Sequence, residues 1–376
     1  MLENRHIIVF GEDFNRHPHC LEHLARQLLP QNKILWVETI GMRSPKLSLY
    51  DLKRAFQKIK GWFAPEKPNE ETLPANLSRL SPFMIPYNQF GLVRRLNQIM
   101  VVRRIRTAMR ELNFSAPLLI TSIPSTCDFI GVLGETLSIY YCVDEFSLWP
   151  GINPNVVGPM ERALIAKVDL VLTTSTALFQ TKSRQHPRTE LLTHGVDVGH
   201  FHLSGNPENG QIGFFGLIDE RVDQDLILNL SKQLPNNEIH FIGEVVVDIS
   251  RLQGQKNIIW HGKVSYADLP NAIQGFSVFI LPYHLNELTR YINPLKIKEY
   301  LATGRPVVTT NLEELRRFED VIAVAKDVEG FYREVAKALG ENQIRRGERL
   351  ASHLQGETWM DKAETLSSRI HLLEAR

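Results

Sequence analysis

Arg290 to Thr310 reads RYINPLKIKEYLATGRPVVTT, and its residue types resolve into a loop, a short helix, a sharp stop and a buried strand. Asn293 is a good N-cap, and Pro294 suits the first helical position, where its missing N–H costs nothing. Ile297 and Leu301 give the helix an apolar side, while Lys296, Glu299, Tyr300 and Thr303 fall together on another. Gly304 fits the left-handed stop residue, and Pro306-Val307-Val308 just beyond it opens a buried parallel strand. The start of such a helix offers N–H groups and a partial positive charge, to which Lys296 adds a whole one. The segment therefore predicts an anion site suited to phosphate. One turn further in, Glu299 can accept hydrogen bonds from hydroxyls. Phosphate donors and a diol acceptor so spaced suit the ribose-diphosphate part of a nucleotide. The plainer alternative is a Lys–Glu pair on a solvated face.

Outward from this stretch, short apolar runs alternate with helical patterns in both directions. In the N-terminal half the runs are Ile7–Phe10, Ile34–Val37, Leu118–Thr121, Leu137–Val143 and Leu170–Thr174. In the C-terminal half they are Gln211–Phe215, Glu238–Ile242, Ile258–Trp260, Val278–Leu281 and Pro306–Thr309. That rhythm predicts α/β architecture with doubly wound parallel sheets. A chain of 376 residues is long enough for two domains. Its 43% hydrophobic and 23% charged content is that of a folded soluble protein. A net charge of +1 gives no overall pull towards nucleic acid. The three cysteines, Cys20, Cys127 and Cys142, are odd in number and lack metal-ligand spacing, so a reducing compartment is expected. No apolar run reaches membrane-span length and the first residues lack a signal-peptide layout, so a cytoplasmic location is expected.

The string NPLK…EY-x-A-x-G-x-PVV resembles the nucleotide-sugar signature of glycosyltransferases of the two-Rossmann GT-B type, specifically the large retaining family 4-like group, or group 1. The resemblance implies two Rossmann-like doubly wound parallel-sheet domains facing across a cleft. An acceptor-side domain would span residues 1–194 and a nucleotide-sugar domain 195–355, with a final helix within 356–376 packing back on the first. In that group a glutamate five residues before a Gly-x-Pro-Val turn binds the donor ribose, and Glu299 stands so before Gly304. Thr193-His194-Gly195-Val196-Asp197 followed by Phe201 resembles the interdomain hinge. The string NRHPHCLEHLARQLLPQNKILWVETIG resembles a subgroup linked to bacterial exopolysaccharide assembly. Carried over, the resemblance assigns donor binding to Gly216, Lys263, Val264, Arg290, Asn293, Pro294, Leu295, Lys296 and Glu299. Arg221, Lys296 and Glu299 would carry catalysis. Two departures stand out. Leu217 occupies the place of a second diphosphate-binding cation, for which Arg290, Lys296 or Lys263 are the candidate substitutes. Tyr291 stands where the group has a second glutamate, with Glu287 as its candidate replacement.

On the acceptor side, the loop after the first strand supplies Asp13, Arg16 and His17. It lacks the G-x-G-x-x-G fingerprint, which disfavours a nicotinamide or flavin cofactor. Ser122, Asp144 and Glu145 follow apolar runs and are expected at strand ends. Residues 43–63 and 94–110 are rich in Lys and Arg interleaved with apolar side chains. They predict contact with an anionic membrane surface, peripheral at the inner face, rather than with nucleic acid, for which no binding motif is present. The function expected is transfer of a sugar, with retention, from a nucleoside-diphosphate donor to a glycan or lipid-linked acceptor in bacterial surface or exopolysaccharide synthesis. No cofactor is expected. A metal is also unexpected, because no DxD-type cluster stands at a strand end. Two alternatives are a nucleotide-sugar epimerase or hydrolase of the same fold, and a non-catalytic scaffold of a polysaccharide-synthesis complex.

Overall fold

A computed structural model describes residues 1–14, 19–39, 73–203, 205, 207, 210–340 and 352–375. The chain divides into two compact units. One comprises Met1–Leu192 with Ala363–Arg376, and the other Thr193–Lys362.

The first unit contains β1 (His6–Gly11), α1 (Cys20–Leu28), β2 (Lys33–Glu38), β3 (Leu77–Leu80) and α2 (Gly91–Glu111). It continues with β4 (Leu118–Thr121), β5 (Leu137–Cys142), α3 (Pro154–Ile165), β6 (Leu170–Thr173), α4 (Thr176–Lys182) and β7 (Thr189–Leu191). The seven strands are all parallel, in the order β3-β2-β1-β4-β5-β6-β7. Every residue of β4, β5 and β6 is buried. That explains their unbroken apolar runs, since a parallel sheet is covered on both faces.

The second unit contains β8 (Gln211–Phe215), α5 (Gln224–Gln233), β9 (Ile239–Ile242), β10 (Ile258–Gly262) and β11 (Phe276–Leu281). After these come α6 (Leu295–Ala302), β12 (Val307–Thr310), β13 (Ala323–Ala325) and α7 (Val328–Gly340). Its six strands are parallel in the order β10-β9-β8-β11-β12-β13. The strand order therefore reverses between β8 and β11. In open parallel sheets that switch point, at the carboxyl ends of the strands, is where ligands bind.

The last helix, α8 (Trp359–Glu374), begins in the second unit and runs into the first. Ala363, Leu366 and Ile370 join the first unit's core with Leu2, Ile7 and Leu24, and Ser367 Oγ accepts the Leu2 N–H at 3.0 Å. Within the second unit, Trp359 is buried against Gly195, where a Cβ would fall 2.7 Å from the Trp359 backbone. The glycine of the HGVD string thus makes room for an aromatic ring.

Three strands, β3, β7 and β13, are absent from the apolar runs quoted above. All are sheet edges. Leu77-Ser78-Arg79-Leu80, Thr189-Glu190-Leu191 and Ala323-Val324-Ala325 are short, mix polar or small residues with apolar ones, and leave no unbroken hydrophobic run to read.

Candidate functional site

The helix α6 is held on the second sheet by its buried face. Tyr300 is fully buried; its hydroxyl donates to the Phe215 carbonyl at 3.1 Å and accepts the Phe215 N–H at 3.3 Å. Its ring stacks on Phe279 with centroids 4.8 Å apart. These contacts fix α6 against the end of β8, and Lys296 and Glu299, four and one residues before Tyr300, ride with it. Gly304 takes the left-handed conformation expected of the stop residue, with φ 77.

The start of α6 differs from expectation. The helix begins at Leu295 rather than Pro294, Pro294 occupies the N-cap position, and no side chain caps the end. Asn293 is therefore not the cap; it lies one residue further out and is buried. Proline has no side-chain acceptor to offer the first turn, so its N–H groups stay without a side-chain cap and their partial positive charge adds to that of Lys296.

Lys296 reaches back over the end of β8. A Cβ built on Gly216 would fall 1.5 Å from Lys296 Cε and 2.5 Å from Nζ, and Gly216 has φ 137, which side-chain-bearing residues rarely adopt. Next to it, a Cβ on Gly243 would fall 1.8 Å from the Gly216 carbonyl oxygen. The loops after β8 and β9 are thus pressed together, with Gly216 N–H donating to the Ile242 carbonyl at 2.8 Å. Bare backbone beneath an ammonium group, at the switch point, is a cradle that an anion can approach closely.

Glu299 lies on the same side of α6. Burial pushes its carboxyl up to about 7, and the Lys296 charge pulls the other way. Among the described residues no group hydrogen-bonds this carboxylate, and no carboxylate forms an ion pair with Lys296. Tyr266, which stacks on His200 with centroids 4.1 Å apart, has its phenol raised by burial and then by the charge of Glu299. Tyr266 belongs with the site and was not legible in advance; a tyrosine two residues past Val264 carries no motif of its own.

The other donor-side residues are more dispersed. Arg221 lies in the loop after β8, which pairs with the loop after β11 through the His284 N–H to Arg221 carbonyl bond of 2.8 Å. Its guanidinium grips Asp219 through two groups, Nε to Oδ1 at 2.8 Å and Nη2 to Oδ2 at 2.6 Å, and lies over the Tyr283 ring. Asp219 is buried. The Arg221 charge is thus largely matched by the Asp219 carboxylate in this structure. Leu295 opens α6 and is half-buried. Lys263 is exposed and Val264 half-buried in the loop after β10. Arg290 and Glu287 sit on a one-turn helix, Glu287–Arg290, and both are largely exposed.

In the first unit, Asp13 is half-buried and Ser122 buried, just after β1 and β4 respectively. Arg16, His17 and the stretch 43–63 lie outside the described residues. Asp144 and Glu145 follow β5 and are half-buried. Glu145 accepts from Ser147 Oγ at 2.6 Å and from Lys182 Nζ at 2.8 Å, and Lys182 also reaches Glu161 at 2.7 Å. Glu161 in turn accepts the Tyr140 hydroxyl at 2.8 Å. Burial alone would lower the Lys182 ammonium, but Cys142, Glu161 and Glu145 outweigh it and raise it. Glu145 is thus tied into a structural network behind the strand end.

Known proteins resemble the chain in sequence and in fold. Residues 210–341 match the family model described as Glycosyl transferases group 1, so this segment is a group 1 glycosyltransferase domain. Over 140 residues the chain is 29% identical to TuaH of Bacillus subtilis (strain 168), a protein provisionally named as a teichuronic acid biosynthesis glycosyltransferase. The match spans 35% of this chain and 35% of that protein, about a third of each. The fold is that of GT-B glycosyltransferase structures. Anabaena Alr3699/HepE, crystallised with UDP and glucose, superposes with a TM-score of 0.65 at 13% identity, covering 97% of this chain and 99% of that one. Sucrose-phosphate synthase from Thermosynechococcus elongatus gives 0.71 at 12% identity, covering 99% and 100%.

Proposed function

We propose that the protein is a retaining glycosyltransferase using a nucleoside-diphosphate sugar, with a glycan or lipid-linked acceptor of bacterial surface or exopolysaccharide synthesis. One observation carries this reading: at the switch point of the second sheet, the Lys296 ammonium lies across bare Gly216 backbone, beside a Glu299 carboxylate that no described residue hydrogen-bonds. Lys296 opposes the charge of the donor diphosphate, and Glu299 accepts the ribose hydroxyls one turn along the helix. As the sugar–phosphate bond breaks, negative charge grows on the departing oxygen. A fixed ammonium stabilises that charge more than the ground state, which is what lowers the barrier. The departing phosphate takes the acceptor's proton on the same face, so no dedicated base is needed. In this scheme Lys296 supplies the charge stabilisation that a metal provides elsewhere. HepE, crystallised with UDP-glucose, and the TuaH likeness support the donor class and the polysaccharide setting. The protein then works on the cytoplasmic side, peripherally at an anionic membrane surface that the basic residues 94–110 would contact.

A thermal-shift panel of nucleotide sugars tests the donor, since a ligand at 100 times its Kd stabilises by about 2.7 kcal/mol. One compound should raise Tm in the wild type and fail to do so in Lys296→Ala. NMR of the transferred sugar then reads the anomeric outcome. No shift with any nucleotide sugar, or an inverted product, would overturn the assignment.

A further inference from the structure

The helix α2 is fastened to its unit along one side only. Asn97 clamps the Ile85 backbone, accepting its N–H at 2.8 Å and donating to its carbonyl at 2.9 Å. Arg94 grips Asp128 through Nε at 2.8 Å and Nη2 at 2.7 Å, and Val101, Ile105 and Ala108 are buried. The opposite side is bare. Leu92, Leu96, Ile99, Arg103, Arg106 and Arg110 follow one another at intervals of four, three, four, three and four residues, which places them on a single line along the helix. The line is about 27 Å long.

It is divided end to end. Leu92, Leu96 and Ile99 are 81%, 51% and 55% exposed, and Tyr87 and Phe90 just before the helix are 43% and 58% exposed. The other half is arginine. Arg106 and Arg110 bond only backbone or hydroxyl groups, and among the described residues none of the three has a carboxylate partner. Beside the arginines lies an open groove of about 830 Å³, walled by Val102, Met109 and Phe114.

We propose that this face of α2 is the protein's seat on an anionic bilayer, its apolar half entering the acyl boundary while Arg103, Arg106 and Arg110 hold lipid phosphates over the groove. The charge is complementary to an acidic headgroup layer, and the apolar half decides between polyanions. Three adjoining exposed aliphatic side chains gain nothing on a nucleic-acid backbone, whereas they gain burial in a membrane interface. Arginine suits the role because its planar fork pairs with phosphate oxygens while its stem lies along apolar surface. The proposal rests on the membrane setting given above, but its test reads binding alone and involves no sugar transfer.

Flotation of the whole protein with phosphatidylglycerol–phosphatidylcholine vesicles, against pure phosphatidylcholine vesicles, tests it. The wild type should float with the acidic vesicles and not with the neutral ones. R103A/R110A should lower the partition coefficient about 25-fold, at about 1 kcal/mol or fivefold per basic residue. L92N/I99N should also lower it, and raised salt should release the protein. Both variants change exposed side chains, and both should keep the nucleotide-sugar thermal shift of the wild type. Equal flotation by wild type and R103A/R110A, or none by the wild type, would overturn the proposal. So would release by inorganic phosphate at matched ionic strength, release by competing duplex DNA, or self-association through α2 with indifference to vesicles.

Discussion

Donor affinity should fall about tenfold between pH 8 and pH 6, because Glu299 must be ionised to receive two ribose hydroxyls. Its carboxyl, ordinarily near 4.5, is raised to about 7 by burial. At pH 8 about nine-tenths of the folded chains carry the carboxylate, and at pH 6 about one-tenth do. Binding below pH 7 must first remove that proton, at about 1.4 kcal/mol per pH unit. The sign for stability runs the other way. A carboxyl raised in the folded state binds protons more tightly than in the unfolded chain between pH 4.5 and 7. Stability is therefore fully present below 4.5 and declines as pH rises through 7, by roughly 3 kcal/mol from this group. The donor should restore part of that loss by supplying the missing hydrogen bonds. Isothermal titration of the best nucleotide sugar at pH 6, 7 and 8, at constant ionic strength, reads the effect. The donor's esterified diphosphate has no titration of its own in this range. Glu299→Gln should bind weakly and without pH dependence. A wild-type affinity independent of pH, or the same slope in Glu299→Gln, would refute the reasoning.

Other outcomes follow from the same geometry. Gly216→Ala would put a methyl group 1.5 Å from Lys296 Cε on backbone with φ 137. The lysine must move, and donor affinity should fall at least tenfold with a stability cost of about 1–3 kcal/mol, read by titration and melting. Arg221→Ala leaves the buried Asp219 carboxylate unmatched and should cost about 3–5 kcal/mol, visible in chemical denaturation. Arg221→Ala/Asp219→Asn should recover part of this stability, and additive losses would argue against the pair. Lys182→Met strands Glu145 and Glu161 together and should destabilise the first unit by a similar amount. Donor affinity should stay unchanged there, since the network belongs to the first unit.

Much of the fold was legible because parallel strands buried on both faces write themselves as unbroken apolar runs. Ile120 and Phe279 sit within a residue or two of the predicted strand limits for that reason. The edge strands β3, β7 and β13 left no such run. The layout of α6 was legible through residue type and spacing: a lysine, a glutamate and a tyrosine on one short helix, with a glycine stop. The helix enters one residue later than Asn293-Pro294 predicts, because Asn-Pro has two good places in a helix start and only tertiary packing chooses between them. Pairing was not legible either. Nothing in Asp219-Glu220-Arg221 says that the arginine folds back on the aspartate, nor in Asp144-Glu145 that Lys182, thirty-seven residues on, claims Glu145. Which of these charges pair is decided by the fold, not by the local sequence.

A crystal structure of the protein with a nucleoside diphosphate would read this site atom by atom. The β-phosphate should lie within hydrogen-bonding distance of Lys296 Nζ and the Gly216 backbone, and both ribose hydroxyls on the Glu299 carboxylate. A nucleotide bound away from the β8–β11 switch point, or one whose ribose leaves Glu299 untouched, would contradict that placement.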